Sequence, residues 1–209
     1  MQRPKRSARL TGIGLGITLL GSGSTLGGAT WEEKSFVGHT RYRVTVEDGV
    51  ETIEGEARAS ASLYYRRQPI DLTRTPVLHW RWKVSTVYGG DFDERTKAGD
   101  DYPARLYVAV KTGFFPWQTR AINYVWSSKQ PLGATWPNAY TDKTQMVAVA
   151  AGADDLGRWR AQQRDVVADF KRYFDLDVTE LAGYAVMVDG DNTGNGATAW
   201  FTDIHFAAE

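Results

Sequence analysis

The chain reads as all-β: a two-sheet antiparallel jelly-roll sandwich with one inserted helix at about 157–174. Three observations predict this. Apolar and polar residues alternate in short runs of strand length, glycine-bearing turns separate the runs, and only one stretch has helical spacing. Clean alternation marks sheets with one solvated face, whereas parallel sheets covered on both faces read as continuous apolar runs. Eight or so runs without an internal repeat need two packed layers to bury their apolar sides.

The elements follow in order. Arg41 to Glu47 reads as a strand, closed by a turn at Asp48-Gly49, and Ala57 to Tyr65 reads as another. In Leu78 to Val84, Leu78, Trp80, Trp82 and Val84 share one face, with His79, Arg81 and Lys83 on the other. Leu106, Val108 and Val110 repeat the pattern opposite Arg105, Tyr107 and Lys111. Ile122, Tyr124 and Trp126 do so opposite Asn123. Met146 to Ala151 and Tyr184 to Val188 look more deeply buried. In the last strand Trp200, Thr202, Ile204 and Phe206 are expected on one face. Between these runs, Gly157 to Phe174 carries Trp159, Val166, Phe170 and Phe174 at helical spacing, with Asp154 or Asp155 as cap. Trp80, Trp82, Trp126 and Trp200 are the expected core tryptophans.

Composition narrows the function. The 209 residues suffice for one domain with a buried core, expected over 30–209. Formal charge is zero, so no basic footprint points to nucleic acid. The chain has no cysteine, which excludes disulfides and thiolate chemistry. Arg3, Lys5, Arg6 and Arg9 precede an apolar run from Leu10 to Leu20, and Gly27-Gly28-Ala29 supplies small residues. That order predicts a signal peptide over 1–29 and a periplasmic or secreted protein. The run is too short to span a membrane, so no transmembrane span is expected in the mature chain. Without those four basic residues, 21 cations face 25 acids, a net charge of −4. The three histidines, His39, His79 and His205, are scattered, and no Gly-x-Ser-x-Gly elbow occurs.

Two polar stretches are candidates for a site. In Asp189-Gly-Asp191-Asn192-Thr193-Gly194, Asp189, Asp191, Thr193 and Gly194 match the first half of an EF-hand calcium loop. The twelfth position is Trp200, which cannot ligate, so a plain tight turn competes with a calcium-assisted one. Asp203 is a further candidate metal ligand. The second stretch, Gly99 to Arg105, places Asp100, Asp101 and Arg105 on a loop entering a strand. Asp100, Asp101 and Arg105 either clamp sugar hydroxyls, or Arg105 neutralises Asp101 and fixes the loop. Trp117 and Trp136 adjoin prolines in expected loops, and with Tyr140 they are candidate stacking platforms.

Two resemblances bear on these residues. The segment around Phe201-Thr202-Asp203-Ile204 resembles the closing strand of galactose-binding-like carbohydrate-binding jelly rolls. That likeness implies that Asp203 helps hold a structural calcium, with Glu32 or Glu33 completing it. Ser60 to Leu63, Ile70 to Leu72, Pro76 to Trp82, Gly99 to Arg105, Asn123 to Trp126 and Asp189 to Asp203 together resemble a bacterial secreted family of unknown function. This likeness implies an envelope-directed β-sandwich and brings no catalytic residues. The expected function is therefore non-catalytic binding of a glycan or related envelope ligand, through Asp100, Asp101, Arg105, Trp117, Asn123, Trp136 and Tyr140. A hydrolase acting on envelope polysaccharide through paired carboxylates and a protein-interaction module are the rivals.

Overall fold

A computed structural model describes residues 30–113 and 118–209. The expected signal peptide and Trp117 lie outside the described residues. Two sheets face each other. The larger has the order β1 (Trp31–Val37), β4 (Ala61–Arg66), β13 (Gly183–Asp189), β7 (Ala104–Lys111), β8 (Thr119–Ser127), β10 (Thr141–Ala151) and β9 (Thr135–Asn138). The smaller runs β11 (Arg160–Asp165), β6 (Val77–Val84), β14 (Gly196–Ala207), β3 (Val50–Arg58) and β2 (Arg41–Glu47). A two-stranded piece pairs β5 (Ile70–Asp71) with β12 (Glu180–Leu181). All pairings are antiparallel except β8 with β10, which run parallel.

Alternation places the core. Trp80 and Trp82 point from β6 onto Tyr124 and Trp126 of β8, with ring centroids 5.4 and 5.9 Å apart for the facing pairs. Leu106, Val108, Ile122, Val186 and Phe201 fill the space around them, all fully buried. The Asp48-Gly49 turn links β2 to β3 with φ of 50° and 79°, the left-handed pair a two-residue hairpin requires.

Several expectations need correction. The expected strand Ala57 to Tyr65 is broken at Ala59, with φ 48°: Ala57 lies at the end of β3 in the smaller sheet and Ala61 opens β4 in the larger. Helix α1 spans Val166–Phe174 only. The first half of the expected helix is edge strand β11, where Ala161 and Gln163 pair with Arg81 and His79. Its residues carry little apolar patterning, so the open edge of β6 decides their conformation. Asp165, not Asp154 or Asp155, caps α1, its side chain accepting from Ala168 N at 2.9 Å.

The last strand departs as well. Trp200 and Thr202 do not share a face with Ile204 and Phe206. Ala199 and Phe201 are the core residues, and a bulge shifts the register between Thr202 and His205, with Asp203 at φ 53°. One extra residue there flips every later side chain, returning Ile204 and Phe206 to the core. Trp200 therefore stands half-buried on the solvent side of the smaller sheet. Trp159 leaves the expected helix face and lies on that side too, against Lys83 and Arg81.

Candidate functional site

The outer face of the larger sheet gathers most of the predicted polar residues. On β7, Ala104 and Leu106 turn inward, which sends Arg105 outward. On β13, Val186 and Val188 turn inward, so Met187 and Asp189 share the face with Arg105, and Met187 pairs with it directly. On β8, Asn123 sits opposite Tyr107.

Arg105 is the hub. Only 2% exposed, it donates from Nε to Asp189 Oδ1 at 2.7 Å, and from Nη2 to Asp189 Oδ2 and the Asp100 carbonyl. Its Nη1 lies 3.6 Å from the Asp100 carboxylate and donates to Tyr107 Oη at 3.3 Å. The guanidinium stacks 4.3 Å from the Tyr102 ring centre. Asp189 also accepts from Tyr102 N at 3.2 Å. This is a bidentate, charge-assisted pair, buried on both sides.

Asp101 organises the turn after β13. Its Oδ2 accepts from Thr193 N and Thr193 Oγ1, each at 2.6 Å, and its Oδ1 from Asn192 Nδ2 at 3.1 Å and Asn192 N at 3.3 Å. Asp100 accepts from Asn138 Nδ2 at 3.3 Å. The single Tyr140 hydroxyl proton is shared between Asn192 Oδ1 at 2.9 Å and the Lys97 carbonyl at 3.2 Å. The loop before β7, the turn at 190–195 and the β9–β10 connection are thus tied at one place.

Burial shows in the titration of three acids at this junction. Burial pushes the Asp189 carboxyl well above the usual range, with Arg105 pulling it back and Asp101 pushing it further. Burial also raises Asp100, against the pull of Arg105, and raises Asp191, reinforced by Asp101. Burial alone would lower the Arg105 guanidinium, yet Asp189 and its neighbours hold it well above normal. Burial pushes the Tyr107 hydroxyl up to about 12.

Asp101, Asp189 and Asp191 place one carboxylate oxygen each within 4.8 Å of the others, the donor set a cation would use. Those of Asp101 and Asp189 already accept from the turn and from Arg105. Thr193 Oγ1 serves Asp101. Asp203 stands apart on the bulge of β14, half-exposed, with its carboxylate 3.0 Å from His205 Nδ1. Neither first-strand acid reaches it: Glu33 pairs with His39 at 3.2 Å, and Glu32 accepts from Tyr65 Oη at 2.7 Å.

The structure therefore brings together Asp100, Asp101, Arg105, Asn123, Trp136, Tyr140, Asp189, Asp191 and Thr193, and leaves Asp203 outside. It also sorts them by access. Trp136 lies on β9, 5% exposed and stacked on Tyr102 at 6.3 Å, so it is a covered ring and not an open platform. Asn123 is fully buried, its amide donating to Met146 Sδ at 3.5 Å while its Oδ1 has no partner. Tyr140 is 47% exposed, and Asn138, Asp191 and Asn192 are half-buried. Sequence reasoning missed Asn138 and Asn192. Asn192 sat inside the quoted turn motif; Asn138 carried no local signal, because only the β9–β10 pairing brings it to Asp100.

Two cavities open at the opposite edge of the sandwich. One, of about 650 Å³, is lined by Trp31, Val44, Glu51, Tyr64 and Arg66. The other, of about 310 Å³, shares Trp31 and Glu51 and reaches Asp203. Neither touches the Arg105 cluster.

The chain belongs to the family described as Protein of unknown function (DUF3047), which matches residues 29–205. No curated protein matches it. Among solved structures it is similar to the xyloglucanase domain of NopAA, a type three effector from Sinorhizobium fredii, in complex with cellobiose. That pair shares 9% identity, with a TM-score of 0.43 over 87% of this chain and 94% of the other. It is also similar to CBM86, a low-affinity xylan binding module from Roseburia intestinalis. There the identity is 9% and the TM-score 0.30, over 86% of this chain and 97% of the other.

Proposed function

We propose that the chain is an exported, non-catalytic β-sandwich that binds carbohydrate at the rim above Arg105. The observation that carries this reading is the junction of three loops at one sheet end, where an exposed tyrosine stands among half-buried amides and a carboxylate on a rigid buried base. Tyr140 offers a ring face whose orientation is held by a hydroxyl proton shared between Asn192 Oδ1 and the Lys97 carbonyl. Asn138, Asn192 and Asp191 supply donors and acceptors beside it, the mixture that hydroxyl groups need. Arg105, Asp100, Asp101 and Asp189 do not touch the ligand in this reading. They hold the loops, as a buried second layer does for a surface site. A site built this way needs no ordering on binding, which favours modest affinity with specificity.

The test is a glycan array with the mature chain, followed by calorimetry on the best ligand. Tyr140→Ala is expected to remove binding while lowering the melting midpoint by only about 1–6 °C. A blank array, or undiminished binding by that variant, defeats the rim assignment. Release of reducing ends from a bound polysaccharide would replace the binder by a hydrolase.

A further inference from the structure

We infer that the solvent side of the smaller sheet is a second binding surface, for an acidic polysaccharide. It lies on the opposite layer from the rim and does not depend on it. The inference starts from two tryptophans that alternation and helical spacing would both have hidden. Trp200, on β14, and Trp159, in the loop before β11, flank Lys83 of β6. The Lys83 ammonium lies 4.5 Å from the Trp200 ring centre and 4.9 Å from that of Trp159. Arg81, two residues earlier on the same face, lies 5.7 Å from Trp159.

The surface is pre-set. Trp200 Nε1 donates to Glu54 Oε2 at 3.0 Å, which fixes the plane of the ring. Glu54 in turn lies 3.7 Å from Arg43, and Glu56 lies 4.0 Å from Arg41. The two acids on the middle of the face are therefore already matched by arginines. Lys83 and Arg81 have no carboxylate within salt-bridge distance among the described residues; the rings are what holds them.

Two rings, one of them fixed by a hydrogen bond, with two cations that no carboxylate among the described residues pairs, are complementary to a chain that carries both apolar faces and carboxylates. A uronic-acid polymer has both: C–H faces to stack on indole and one carboxylate per sugar to meet Lys83 and Arg81. Cation and ring act together, since a cation over indole is attracted by the ring face. A neutral glycan would stack yet leave both charges unanswered.

The experiment is affinity electrophoresis of the full chain in native gels with polygalacturonate, and with hydroxyethylcellulose as the neutral polymer. Polygalacturonate is expected to retard the chain more strongly than the neutral polymer. Trp200→Ala, Trp159→Ala and the pair Arg81→Gln with Lys83→Gln should each weaken that retardation about tenfold. The charge pair should also flatten its dependence on salt. Trp200→Phe, which keeps a ring, retains most of the effect and guards against misfolding of the alanine variant. The Arg81→Gln, Lys83→Gln pair is expected to keep binding of the rim's array ligand, so that a failure of this surface and a failure of the rim are read separately. Equal retardation by both polymers, or variants that migrate as the parent, overturns the inference. Displacement of polygalacturonate by single-stranded DNA at equal monomer concentration overturns it too, because the surface would then be a general polyanion face.

Discussion

Replacing Arg105 by methionine keeps most of the side-chain volume and removes the cation that pairs with Asp100 and Asp189. Asp189 loses two donors, the Asp100 carbonyl loses one, and Tyr102 loses the guanidinium on its ring. The carboxylates stay behind at 1% and 4% exposure. Breaking a buried pair by removing one partner costs about 3–5 kcal/mol. For a domain of this size that lowers the melting midpoint by about 6–20 °C. The effect has a definite pH dependence. Asp189 already titrates above an ordinary carboxyl because of burial, and Arg105 opposes that rise. Without Arg105 the folded-state value climbs further. A carboxyl raised on folding contributes stability that is fully present at low pH and is lost as the pH climbs through the raised value. The deficit of Arg105→Met therefore shrinks toward pH 4 and widens toward pH 8. Thermal melts at pH 4, 6 and 8 read this directly. Asp189→Asn added to the variant should recover part of the loss at pH 8, because the stranded charge is gone. A variant that melts within about 2 °C of the parent at pH 8 would refute the account of Arg105 as the hub.

Other perturbations reach separate parts of the fold. Asp165→Ala removes the acceptor for Ala168 N and should cost about 1 kcal/mol in urea denaturation, with Asp165→Asn close to the parent. A methyl group at Gly190 would stand 2.3 Å from the Asn195 carbonyl oxygen, so Gly190→Ala should cost about 1–3 kcal/mol by crowding backbone and should loosen the 190–195 turn in hydrogen exchange. Asp101→Ala strips four hydrogen bonds from that turn, and exchange at Asn192 and Thr193 amides should speed most. Chelator should leave the melting midpoint in place, since Thr193, Asn192 and Arg105 already serve the oxygens of Asp101 and Asp189; a fall on adding EDTA would put a cation among Asp101, Asp189 and Asp191.

Strands with strict alternation were legible because period-two burial is written into consecutive residues. Trp80, Trp82 and Trp126 could be assigned to the core from their own strands. The candidate polar residues were legible as types at turns and strand starts. Their division into a buried base and an accessible rim was not. Asp100 and Tyr140 lie in similar polar stretches, yet one is 4% and the other 47% exposed, and the difference comes from segments folded over them. Asn138 shows the same limit: its role exists only because β9 returns against β10.

By itself the amino-acid sequence determined that this chain forms layered strands with one helix, which residues are charged or aromatic, and where turns must occur. These follow from local periodicity and turn chemistry, which act over a few residues. The tertiary structure alone decided that Asp189 meets Arg105 across 84 positions, that one bulge at Asp203 reverses the end of β14, and that Trp159 and Trp200 stand outside on either side of Lys83. Each depends on which strand edge is free to pair and on a one-residue register. Those are settled only when the whole sandwich closes over a common core.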